Sequence, residues 1–368
     1  MNQNYNLTEI ISHFRLDGKL IKTEPCGQGH INDTFAAYFK KSNDKIQRCI
    51  LQRINHNVFK TPEAVMANIG EVTNHIRKKI IAAGGDPKRE TINLIPSLDN
   101  KSYYKCPAGD YWRSYYFIED AKSYQIVKNK DHFYSAGKTL GRFHQLLSDY
   151  PAEKLHETIP NFHNTQARFE TFKKAVSDDF MDRTKDVQPE INFVLSRSED
   201  TKVLINLLNQ GLLTLKVTHN DTKFNNILID DITGEGVCLI DLDTVMPGLS
   251  LYDFGDSIRS GANPAEEDEK DLSKVCMDLE LFEQFTHGFL DSTRDTLTNT
   301  EIEYLPFAAK LMTFECGMRF LTDHINGDVY FKISRENHNL DRARTQFKMV
   351  ADMENKLDEM KKIVDKWS

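Results

Sequence analysis

What the 368-residue chain lacks narrows the possibilities first. It has six cysteines, Cys26, Cys49, Cys106, Cys238, Cys276 and Cys316. No two of them form a C-x-x-C pair, and none stands with histidine at zinc spacing. A disulfide framework is therefore not expected, and the thiols inside apolar runs read as buried and free. No apolar run approaches the roughly 18 residues that span a bilayer, and mean hydropathy is −0.53. The first residues, Met1 to Asn6, lack the basic-then-apolar build of a secretory leader. A cytoplasmic protein with no membrane partner is the expectation. Positive charge is not in excess either: 47 Lys and Arg stand against 55 Asp and Glu, a net −8. That excludes the basic face of a nucleic-acid binder. No internal repeat or low-complexity segment appears. With 39% hydrophobic and 28% charged residues, the chain can bury a sizeable core in one or two domains.

What is present is organised around Val217–Asp243, with its pivot at His219-Asn220-Asp221-Thr222-Lys223-Phe224-Asn225-Asn226. The form is H-x-D-x-K-x-x-N. Behind it, Ile227-Leu228-Ile229 and Val237-Cys238-Leu239-Ile240 flank a turn rich in Asp, Thr and Gly, which predicts a β-hairpin ending in Asp241-Leu242-Asp243. Such a hairpin returns Asn226 and Asp241 to one place. Phosphoryl transfer asks mainly for positioning and for charge on the moving phosphoryl. Asp221 suits the group that accepts the attacking hydroxyl's proton, and Lys223 suits a cation facing the transferred phosphate. Asn226 and Asp241 supply hard oxygen ligands for Mg²⁺, whose shell is completed by phosphate and water. ATP and Mg²⁺ are the expected cofactors.

Upstream, Leu7–Phe14 reads as a short helix with Thr8 near its cap. Strand-like segments follow at Leu20–Pro25, Thr34–Phe39 and Ile46–Ile54. Between the first two lies Gly27-Gln28-Gly29-His30-Ile31-Asn32, where glycines let backbone amides approach phosphates closely. His30 and Asn32 stand at the mouth of that turn. On the third strand, where kinase folds carry a phosphate-holding Lys, this chain has Gln52, with Arg53 on the opposite face. That substitution puts the usual Lys–Glu pair in doubt, leaving Glu71 as a possible partner. Thr61-Pro62-Glu63 opens an amphipathic helix to about Ala83. Strands at Thr91–Ile95, Tyr103–Lys105 and Tyr111–Ile118 come next, with Trp112 and Arg113 left unassigned. From Asp131 the periodicity is helical, and His144 reads as a satisfied core or edge histidine. Further helices are expected over Glu157–Val176, Asp200–Leu213, Leu272–His287, Thr300–His324 and Asn337–Trp367. The run Glu266–Lys270 reads as a solvated first helical turn. Asp253-Phe254-Gly255 spells a kinase metal motif, but the hairpin already ends in Asp241. Asp253 is therefore expected to brace the catalytic loop through its backbone amides, and Asp243 to be a second metal ligand or an orienting carboxylate.

Val217–Leu228 with Ile240–Gly248 resembles the aminoglycoside-phosphotransferase-like kinases. Within that group the chain is similar to the bacterial N-acetylhexosamine 1-kinases. The likeness includes Gly27–Asn32, Phe117-Ile118-Glu119, Leu251–Arg259 and Glu315-Cys316-Gly317-Met318-Arg319-Phe320-Leu321. It implies an α+β, two-lobed protein-kinase-like fold, with a small antiparallel β-sheet N-lobe over residues 1–118 and a larger, mostly helical C-lobe over 119–368. It implies that Gly27, Gly29 and Gln52 lie at the nucleotide's phosphates, and that Phe117 and Ile118 form the adenine-binding hinge. His30, Asn32, Asp221, Arg319 and Tyr330 would bind an amino sugar, the small-molecule partner, whose anomeric hydroxyl is phosphorylated. A monomer or weak homodimer is expected. Amino alcohols, homoserine or aminoglycosides are the alternative acceptors, and Gln52 leaves open a silent nucleotide-binding protein.

Overall fold

The computed structural model describes residues 5–27 and 31–368. After a short helix α1 (Leu7–Ser12), the strands β1 (Lys19–Pro25), β2 (Asp33–Lys40) and β3 (Ile46–Ile54) form an antiparallel meander. Helix α1 is capped by Asn6, whose side chain accepts from the Glu9 amide, and not by Thr8. Helix α2 (Pro62–Ala82) follows, then β4 (Leu94–Ile95), β5 (Tyr104–Lys105) and β6 (Tyr111–Tyr116). The sheet order is β1-β2-β3-β6-β4, with β5 on β6. Strand β3 lies between β2 and β6, and its residues from Cys49 to Gln52 are buried in a row. Val65, Ile69, Val72, Ile76 and Ile80 of α2 are all buried on one face. Each such side chain contributes roughly 1.5–3 kcal/mol by leaving water.

Beyond β7 (Ala121–Lys122) the chain is mostly helical: α3 (Lys130–Leu147), α4 (Thr165–Asp178), α5 (Gln188–Leu195) and α6 (Val203–Asn209). Strand β8 (Lys216–Thr218) leads into the hairpin of β9 (Ile227–Asp230) and β10 (Gly236–Leu239). Strand β11 (Met246–Gly248) returns to pair with β8. The remaining helices are α7 (Ser250–Gly261), α8 (Leu279–Thr293), α9 (Asn299–Glu303), α10 (Leu305–Ile325), α11 (His338–Asn355) and α12 (Leu357–Trp367). A single large apolar core joins α2 to α3, α7, α8, α10 and α11. A smaller core, with the fully buried Trp112, fills the space between the first sheet and α1. Among the described residues no helix is long and apolar enough to cross a membrane.

Several expected helices differ: Asp200–Leu213 is α-helical only over α6, α8 starts at Leu279 and not Leu272, and the runs from Thr300 and Asn337 are each divided, into α9 and α10 and into α11 and α12. The α4 helix begins at Thr165 because the Asn164 side chain caps it there, accepting from the Ala167 amide. The run from Glu266 to Lys270 is turn and bend, not helix. Its acids are drawn to partners outside the run: Glu267 to Arg259, Asp268 to Arg335 and Glu269 to Lys274.

Candidate active site

The hairpin brings the two ends of the motif together as the spacing predicts. Leu239 pairs with Ile227, and the Ile240 amide donates to the Asn226 carbonyl at 2.9 Å. Ile240 therefore lies opposite Asn226, and Asp241 is the next residue along. It takes a left-handed backbone, φ +62°, a conformation that short polar side chains tolerate best. His219 secures the same junction. Its Nε2 meets the Ile240 carbonyl at 2.8 Å, and its Nδ1 accepts from the Asp221 amide at 3.2 Å. A carbonyl can only accept, so those partners assign the proton to Nε2.

Asp221 is half-exposed, with Oδ1 3.1 Å from Lys223 Nζ. Its Oδ2 accepts from Asn226 Nδ2 at 3.1 Å. The protein packed around Asp221 raises its pKa, but Lys223 and His219 outweigh that and hold it below the usual carboxylate range. Lys223 is raised in return, first by Asp221. Asp221 is thus an ionised carboxylate, the state a proton acceptor needs.

The loop is held from below by buried groups. Asp253, on α7 and fully buried, accepts the His219 amide at 2.8 Å and the Asn220 amide at 2.7 Å. Asp253 thus braces the loop as expected. Gly255 lets α7 lie against α10, where an added Cβ would sit 2.5 Å from the Ala308 carbonyl. His144 Nε2 is 3.0 Å from Asp253 Oδ2, without an aligned hydrogen bond. A second brace had no role in the sequence reading: His163. Its Nε2 meets the Asn220 carbonyl at 2.9 Å, and its Nδ1 meets Glu315 Oε1 at 2.8 Å.

Above the loop, Gly27 has φ +78° with open space where a Cβ would be. Gly29 and His30 lie outside the described residues. Asn32 donates to Asp243 and accepts from the Asn55 amide, so its amide ties the mouth of the turn to the loop below. Gln52 faces inward and is buried. It donates to Thr34 Oγ1 at 2.9 Å and accepts from Arg113 at 2.8 and 2.6 Å. Arg113 in turn pairs with Asp243, and both are buried. Arg53 points to the other face, to Asp33 and Asp110. Glu71 is exposed and accepts from Tyr150, so it is not a partner for a phosphate-holding cation. Instead α2 is pinned by Asn68, whose Nδ2 donates to the Val245 and His156 carbonyls, each at 2.8 Å.

At the expected hinge, the Phe117 amide donates to the Arg48 carbonyl at 3.2 Å, and the Arg48 guanidinium lies 3.9 Å from the Phe117 ring centre. Ile118 packs with Ala121 and Cys238. On the far side of the loop, the Arg319 guanidinium lies 5.3 Å from the Phe162 ring, 5.5 Å from Phe331 and 6.0 Å from Tyr330. Among the described residues it has no hydrogen-bond or ion-pair partner. Asp256 acts electrostatically on both Lys223 and Arg319. It is 6% exposed, with Oδ1 on Arg259 and Oδ2 without a hydrogen-bond partner among the described residues.

Residues 106–274 match the family model of the phosphotransferase enzyme family. The matched region contains Phe117 and Ile118, the hairpin of β9 and β10, and α7. Three solved structures are similar over the whole length. An aminoglycoside phosphotransferase from Alicyclobacillus acidocaldarius is 12% identical, with 100% of this chain and 98% of that one covered and a TM-score of 0.62. An amicoumacin kinase in complex with AMP-PNP, Ca²⁺ and Ami is 14% identical, covering 98% and 94%, with a TM-score of 0.58. A choline kinase from Streptococcus pneumoniae is 13% identical, covering 94% and 97%, with a TM-score of 0.51. At such identities the likeness is one of fold: a mixed α+β architecture with an antiparallel N-terminal sheet and a helical C-terminal region.

The matched region has a donor set that fits Mg²⁺. That ion keeps several waters and takes one or two carboxylates plus phosphate oxygens. The nitrogen of Asn226 is spent on Asp221, which leaves its oxygen to coordinate. Asp241 is open to solvent yet ringed by protein. That surrounding protein, then Asp243 and Asp221, raise its pKa to about 6. A carboxylate crowded by two others calls for a cation. Among the described residues no group of three or more His, Cys, Asp or Glu could hold a metal by itself.

Proposed function

We propose that the protein is an ATP- and Mg²⁺-dependent kinase that phosphorylates the anomeric hydroxyl of N-acetylhexosamines, giving the sugar 1-phosphate. The nucleotide is placed between residues 1–118 and 119–368, with its base against Phe117 and Ile118. Asp221 accepts the proton of the sugar hydroxyl as its oxygen bonds to the γ-phosphorus. The bond from that phosphorus to the bridging oxygen breaks, and ADP leaves. Lys223 faces the moving phosphoryl and fixes the Asp221 carboxylate. Asn226 and Asp241 hold Mg²⁺, which neutralises charge on the phosphates. The anomeric hydroxyl is more acidic than an ordinary alcohol, so a fully ionised carboxylate suffices as its base. The AMP-PNP and Ca²⁺ bound by the similar amicoumacin kinase support the nucleotide and the divalent ion. Cytoplasmic action as a monomer or weak homodimer is part of the proposal.

The observation that carries the acceptor is Arg319, set among three aromatic faces with no anionic partner of its own. A fixed cation there favours a neutral acceptor with oxygen acceptors to offer, such as hydroxyls and an N-acetyl carbonyl. It disfavours an ammonium. A second reading, an amine-bearing acceptor, draws on the unpartnered Asp256 Oδ2 and on the similar choline kinase. A coupled ADP-release assay separates the two. It runs N-acetylglucosamine and N-acetylgalactosamine against amino alcohols and aminoglycosides, with Asp221→Asn as control. Sugar turnover should consume the reducing end. Turnover of amines alone would remove the sugar reading, and no turnover with ATP still bound would remove the kinase reading.

A further inference from the structure

Gln52 leaves the third strand without a phosphate-holding cation. We infer that Arg113 of β6 is that cation, with Gln52 as the residue that positions it; the inference rests on the kinase reading above.

The register comes first. Gln52 and Arg113 are directly opposed across the antiparallel β3–β6 pair, so their side chains leave the sheet on one face. The Gln52 carbonyl oxygen accepts from both Nε and Nη2 of Arg113, and its amide nitrogen is anchored on Thr34 of β2. Three adjacent strands therefore orient one guanidinium. Nη1 reaches Asp243, two residues past the candidate metal ligand Asp241. Arg113, Tyr115 and Asp241 share one small cleft with the apolar Ile69, Ile92, Leu94 and Leu242. The guanidinium is thus set between the sheet and the segment that carries Asp241 and Asp243.

Stability does not explain the arrangement. A buried ion pair contributes little net stability compared with apolar side chains of similar size. The guanidinium's donors are also not exhausted. Nη2 has a second hydrogen with no oxygen acceptor among the described residues, and the other Nη1 hydrogen faces only the Met66 sulfur at 3.9 Å. A planar fork with two donors to spare matches phosphate oxygens. Of the neighbouring cations, Lys223 is paired with Asp221, and Arg53 with Asp33 and Asp110.

The test is ADP binding by calorimetry, in EDTA and in Mg²⁺, with thermal melting run in parallel. Arg113→Met should weaken ADP about 10–100-fold in EDTA, the worth of one to two charged hydrogen bonds. It also leaves Asp243 buried and unpaired, so Arg113→Met with Asp243→Asn is the decisive variant. That double variant should melt close to wild type and still bind ADP weakly. Gln52→Lys added to Arg113→Met should regain at least half of the lost affinity, because it returns the charge to β3. If the Arg113→Met, Asp243→Asn protein binds ADP as tightly as wild type, Arg113 is only the counter-ion of Asp243 and the inference is overturned. A wild-type protein that binds no nucleotide in either buffer removes the kinase reading itself, and this inference with it.

Discussion

Around Asp221 the polar groups are nearly all spoken for: its carboxylate by Lys223 and Asn226, its amide by His219, and the His219 and Asn220 amides by Asp253. Around Arg319 the guanidinium meets, among the described residues, the faces of Phe162, Tyr330 and Phe331. The first arrangement fixes geometry, because a base misplaced by an ångström loses much of its value. The second holds a side chain in place by stacking while keeping its five donors for something that arrives later. One region is built to stay still and the other to be completed. Substitutions should therefore separate them.

The largest effect is expected at Asp221. Asp221→Asn keeps the shape and most hydrogen bonds but cannot accept a proton, so kcat should fall about 10³-fold, within the span for general-base groups. Nucleotide affinity measured by calorimetry should change little. A large loss of ATP binding would mean that Asp221 belongs to the nucleotide site. Asp253 should behave differently, because it touches no reactant. Asp253→Ala leaves two backbone amides facing a buried void, at a cost of roughly 3–5 kcal/mol when the two lost partners are counted together. Thermal melting should drop by many degrees along with kcat. An unchanged melting temperature would mean the loop is not braced from α7.

Arg319→Met is the contrasting experiment. It removes donors that no group among the described residues uses, so the melting temperature should hold. The acceptor's KM should rise about 10–100-fold, the worth of one or two charged hydrogen bonds, with the KM for ATP unmoved. Should the fold weaken instead, Arg319 is structural and the contrast between the two regions fails.

Legibility in the sequence followed the same division. The hairpin could be read because its signals are local: two apolar runs, a turn rich in Asp, Thr and Gly, and Asn226 and Asp241 at fixed distances from it. Strand β3 was bounded correctly at Ile46 and Ile54 for the same reason. Arg113 could not be assigned, since its role depends on a cross-strand neighbour, Gln52, 61 positions away, and on Asp243, 130 away. His163 was invisible on similar grounds: its partners are Asn220 and Glu315. Glu71 followed the periodicity of α2 correctly but falls on its outer side, against Tyr150. Fold and catalytic centre are matters of spacing along the chain, whereas the bracing residues exist only once distant segments have met.

The smallest expected effect is in pH, and it tests which carboxylate sets the acid limb. The Asp221 carboxyl is held low by Lys223 and His219 against the effect of burial, so it stays ionised through the weakly acidic range. Asp241 is pushed the other way, up to about 6, by the surrounding protein and then by Asp243 and Asp221. A protonated Asp241 cannot coordinate. Mg²⁺ affinity should therefore fall as pH drops below about 6, by about tenfold per unit once protonation dominates. The activity profile at limiting Mg²⁺ should lose its acid limb there. At tenfold higher Mg²⁺ the limb should shift toward lower pH, because the ion competes with the proton for one carboxylate. A limb that stays put as Mg²⁺ is raised would instead report the base, and Asp221 would then lack the protection that its neighbours are argued to give it.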